Sequence, residues 1–71
     1  MHQPDYNAVP FYNPMLVYPG GSKVIHNDVL YMLPERTVIH SFGTAVVVPL
    51  TAYPGHEPGV SALWLKMKQS A

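Results

Sequence analysis

The ten residues Thr44-Ala45-Val46-Val47-Val48-Pro49-Leu50-Thr51-Ala52-Tyr53 carry no charge and hold three consecutive valines. Branched β-carbons crowd a helix and pack well on a pleated surface, so this run specifies strand. Ala45 and Val47 fall on one side of it, and Val46, Val48 and Leu50 on the other. A strand apolar on both faces is normally covered on both, and the sequence predicts a central strand here. Pro49 removes a ladder donor midway, which implies a bulge, an edge position or two strands meeting at a bend.

Shorter strand patterns precede this run. Lys23-Val24-Ile25-His26 reads as a strand and Asn27-Asp28 as a tight turn. Val29–Leu33 is apolar on both faces and is ended by Pro34, with Glu35-Arg36 as an exposed tip. Thr37–Phe42 follows, and Gly43 punctuates it. Residues 29–33, 37–42 and 44–53 are therefore expected to form a meander. Pro54-Gly55-His56-Glu57-Pro58-Gly59 is the loop expected to project. In the final element, Val60–Gln69, alternation favours a strand with Leu63, Leu65 and Met67 inward and Trp64, Lys66 and Lys68 outward. A helix capped by Ser61 is the other reading.

Residues 1–21 differ from the rest. They hold four of the eight prolines (Pro4, Pro10, Pro14, Pro19), with Tyr6, Phe11, Tyr12 and Tyr18 between them and Asp5 as the only charge. Proline at this density favours extended backbone, and rings on a stiff extended segment lose little entropy on docking. The segment reads as a docking arm whose interface residues are Tyr6, Phe11, Tyr12 and Tyr18, with Met15–Tyr18 as a short strand. The Pro19-Gly20-Gly21-Ser22 turn opens a β domain over residues 22–71. The expected architecture is all-β: a small sandwich or partly open barrel of four to six short strands with an extended N-terminal arm.

Composition narrows function. Charged residues are 11% of the 71, and apolar ones 48%, against roughly 25% charged in average soluble proteins. A chain this small, without cysteine, has no disulfide or thiolate-metal staple, and oligomerisation is the remaining common support. Four basic residues balance four acidic ones, so the clustered Lys and Arg of a nucleic-acid surface are missing. No apolar run reaches the length of a membrane span, and the opening residues lack the pattern of a cleavable signal peptide. A cytoplasmic or virion location is the expectation.

Catalytic constellations are not evident. The serines lack a nucleophile context, and Asp5, Asp28, Glu35 and Glu57 are scattered. No catalytic residue and no cofactor are assigned. Trp64 and Tyr53 are candidates for an interface or a ligand platform, because aromatic faces serve both. Among the four histidines, His26 and His40 are weak metal candidates, with Asp28 or His56 as further ligands.

Two resemblances follow from these residues. Asn27-Asp28, Pro34 and His40 resemble the second conserved motif of the cupins, where a Gly-Asp turn, a proline and a metal-ligating histidine recur along a hairpin. Asn27 replaces the first glycine, Arg36 or Thr37 stands at the second, and the proline and histidine each fall one place late. The companion motif, with paired histidines and a glutamate, is missing. In size, cysteine-free β composition and docking arm the chain resembles the small decoration and minor capsid proteins of tailed bacteriophages. That resemblance implies a structural role in assembly, as a homo-oligomer or part of a hetero-assembly. A small carbohydrate- or peptide-binding β module is the alternative function.

Overall fold

The computed structural model describes residues 8–67. Among these the protein is all-β, with seven short strands in three small sheets. They are β1 (Tyr18–Pro19), β2 (Lys23–His26), β3 (Val29–Met32), β4 (Arg36–Ser41), β5 (Thr44–Pro49), β6 (Thr51–Ala52) and β7 (Leu65–Lys66). All ladders between them are antiparallel: β2-β3-β7, β1-β6 and β4-β5.

The β2–β3 hairpin follows the sequence closely. Asn27 and Asp28 both take positive φ, 52° and 63°. That is the turn whose twist matches the flanking strands, and Asn and Asp tolerate it best. The outer edge of β2 is covered by the arm: Ile25 N–H donates to the Pro10 carbonyl (2.9 Å), and Tyr12 N–H to the Ile25 carbonyl (2.8 Å).

One core lies between the three-stranded sheet and the β1–β6 pair. Tyr18, Val24, Tyr31, Leu33, Ala52 and Trp64 form it, with Tyr12, Val29, Leu50 and Leu63 packed against it. Pro49 closes β5, and after Leu50 the chain resumes as β6 in a different sheet. The valine-rich run is thus two strands meeting at a bend.

The course of the chain departs from expectation in several places. The meander breaks after β3, because β3 pairs with β2 and β7 while, among the described residues, β4 pairs only with β5. Strand β5 is not central: none of its residues is buried. Its β-branched side chains do form the strand, but nothing among the described residues covers it. The 54–59 loop folds inward rather than projecting, since Pro58 is fully buried and Glu57 reaches back to His26. Met15–Val17 is an exposed loop held by an Asn13 turn, with Met15 N–H donating to Asn13 Oδ1 at 2.9 Å. In the last element, among the described residues, Leu65 and Lys66 form the strand and Ser61 makes an isolated bridge to Pro58. The inward side chain is Trp64, Leu65 is half exposed, and Lys68 lies outside the described residues. The indole outranks leucine in apolar area, and its N–H finds a carbonyl.

Candidate functional site

Strands β4 and β5 form a ribbon of their own, closed by Phe42 and Gly43 at positive φ (52° and 77°). Six residues per strand reach about 20 Å, and the molecule is long, 47 × 29 × 18 Å. Its radius of gyration is 13.7 Å, against about 11 Å for a compact chain of this length.

The register defines the two faces of the ribbon, because directly paired residues share a side. Val38–Val47, His40–Ala45 and Arg36–Pro49 lie on one face; Ile39–Val46, Thr37–Val48 and Ser41–Thr44 lie on the other. Val38, Ile39, Val46 and Val47 are 44–61% exposed. From Arg36 to Pro49 the only fixed charge is Arg36. Neither side is the fully polar solvent face usual for a ribbon in water. The middle pair of each is apolar, Val38–Val47 and Ile39–Val46, and the polar side chains sit toward the ends. Phe42 is fully exposed at the tip (104%), in a left-handed conformation that costs a bulky residue roughly 1–2 kcal/mol.

The root of the ribbon is held firmly. Gly20 N–H donates to the Leu50 carbonyl (2.9 Å), Gly21 N–H to the Leu33 carbonyl (2.7 Å), and Leu50 N–H to the Glu35 carbonyl (3.0 Å). The ribbon is thus a presented element on a fixed base.

The other sequence candidates separate into two groups. Tyr18 and Trp64 are in the core, with ring centroids 5.5 Å apart at 78°, and Tyr12 stacks on Tyr18 at 5.8 Å. Trp64 Nε1–H donates to the His56 carbonyl (2.8 Å), and the Tyr18 hydroxyl accepts from Asn13 N–H (2.9 Å). With Trp64 5% exposed, its face is occupied by the protein itself. Burial, then Glu57 and Tyr18, raise the Tyr12 phenol above its usual pKa. Phe11 and Tyr53 remain exposed, Tyr53 beside His56. Tyr6 lies outside the described residues.

The two metal candidates are not brought together: His26 is on β2 and His40 on β4, in separate sheets. His26 Nε2 meets Glu57 Oε2 at 3.0 Å. Among the described residues no three His, Cys, Asp or Glu side chains form a metal-sized cluster. No helix there is long and apolar enough to cross a membrane.

Sequence reading missed Phe42 as a displayed residue and placed it at a strand end. The signal was its position before Gly43, where a two-residue turn fits between Ser41 and Thr44. Comparison with protein-family models, curated proteins and solved structures found no significant match for this chain.

Proposed function

We propose that this protein is a structural, assembly-forming subunit that docks onto neighbouring chains through its β4–β5 ribbon. The observation that carries this reading is the exposure of valine and isoleucine on both faces of a two-stranded element hydrogen-bonded at its root to the rest of the domain. An isolated two-stranded ribbon is marginal in water, and one with apolar pairs in the middle of both faces gains from being covered. A protein surface suits it better than a bilayer. Its free edges carry backbone N–H and C=O groups, which hydrocarbon cannot satisfy. A small subunit or cement piece of a larger shell, held by such ribbons and by the exposed Phe11 of the arm, fits this chemistry.

The experiment is a paired substitution. Val46→Thr with Val47→Thr keeps branched β-carbons and strand propensity while placing a hydroxyl on each face. Sedimentation velocity is expected to show association weakened about tenfold or more with an unchanged circular dichroism spectrum. Equal sedimentation of wild type and variant removes the ribbon from the assembly.

A further inference from the structure

The two edges of the ribbon are not equivalent, and this selects a partner. In an antiparallel ladder, paired residues alternate between exchanging hydrogen bonds and pointing those groups outward. Leu50 N–H donates to the Glu35 carbonyl, so the 35/50 pair is of the bonded kind. By alternation along the observed register, 37/48, 39/46 and 41/44 are bonded as well. The backbone groups of Arg36, Val38 and His40 on β4 therefore point outward, as do those of Ala45, Val47 and Pro49 on β5. Pro49 has no N–H, and β5 is blunted at its root. Strand β4 keeps every outward donor and acceptor, and no strand among the described residues pairs with that edge.

We infer that β4 pairs antiparallel with β4 of a second copy, about a two-fold axis through Val38. The inference rests on the assembly reading above and names its partner and register. The outward series Arg36, Val38, His40 is complementary to itself when reversed. Val38 meets the partner's Val38, and each Arg36 guanidinium meets the partner's His40, whose ring offers a nitrogen acceptor. The ribbon itself offers no carboxylate, and Glu35 at its root falls opposite the partner's Ser41, whose hydroxyl is a donor for it. On one face the register aligns Val47, Val38, the partner's Val38 and the partner's Val47 in a single apolar row. On the other, Ile39 lies beside the partner's Thr37. The same register carries Phe42 to the level of the partner's Pro34, at the root of the other ribbon, which gives the strained, exposed ring a surface to cover. The contact is isologous and closes: both outer strands of the four-stranded sheet are β5, each blunted by Pro49.

The test is charge at position 40, which is exposed and replaceable without touching the core. His40→Glu places a carboxylate opposite the partner's Arg36 twice per dimer, and His40→Lys places a like charge there. The pairing predicts dimerisation on the order of tenfold tighter for Glu and tenfold weaker for Lys by sedimentation equilibrium. Arg36→Glu with His40→Lys restores the tight dimer. Association that persists with equal strength in all three variants overturns this register and leaves assembly by another contact. A wild-type chain that stays monomeric together with all three variants overturns both readings.

Discussion

Gly20 lies so close to Glu35 that a β-carbon on residue 20 would stand 2.7 Å from the Glu35 Cα and from its carbonyl oxygen. Both obstructing atoms are backbone, so neither side moves without shifting the ribbon root. Gly20→Ala is expected to cost about 1–3 kcal/mol, the usual penalty of overpacking. Urea unfolding followed by tryptophan fluorescence measures it, since Trp64 lies in the core. Gly43→Ala at the ribbon tip has no neighbour within 4 Å, and its effect is confined to the backbone strain of positive φ.

The tip makes an opposite-sign prediction. Phe42→Asn puts a residue suited to the left-handed turn where a phenyl now strains it. Relief of about 1 kcal/mol would slow hydrogen exchange at the Ser41 and Thr44 amides roughly fivefold. The same variant is expected to associate less tightly, because it deletes the exposed ring. A ribbon that is only a surface hairpin would show the first effect without the second.

Much of this division was legible in the sequence, and the part that was not has a physical cause. Lys23–His26, the Asn27-Asp28 turn and the break at Pro49 are local signals, each set by backbone chemistry within a few residues. The valines of β5 announced that they need cover, but a residue pattern does not say which chain provides it. Trp64 was misplaced for a related reason. Alternation over Leu63–Met67 gives two faces, and which one turns inward depends on the aromatic cluster of Tyr12 and Tyr18, distant in sequence. The exposed candidates Phe11 and Tyr53 and the buried Tyr18 look alike from composition alone.

Core and ribbon are therefore expected to separate by experiment. Trp64→Ala removes the largest core ring and leaves the His56 carbonyl without its indole donor. A loss of about 3–5 kcal/mol would unfold a domain of this size. Val38→Thr and Val47→Thr are expected to leave thermal unfolding of the dilute chain within about 0.5 kcal/mol of wild type. Equal destabilisation by the core and ribbon changes would mean that the ribbon is packed in the monomer.

Alkaline pH probes the arm. The Tyr12 phenol is raised by burial, with smaller contributions from Glu57 and Tyr18. The folded state thus holds its proton more tightly than the unfolded chain. The associated stability is intact below the unfolded value near 10 and is lost as pH climbs through the higher folded value. Tyr12→Phe is expected to flatten that alkaline decline, read as urea midpoints from just below the unfolded value near 10 upward through the range where the phenol ionises. An unchanged slope would place Tyr12 in water and free the arm from the body.

The native mass of the purified chain across a concentration series, by sedimentation equilibrium, tests the central claim most directly. An average mass rising from 7.9 kDa toward an integral multiple, with the rise suppressed in Val46→Thr/Val47→Thr, is the result expected of a subunit that buries its ribbon on its neighbours. A chain that stays at its monomer mass at the highest soluble concentration, with or without those valines, contradicts it.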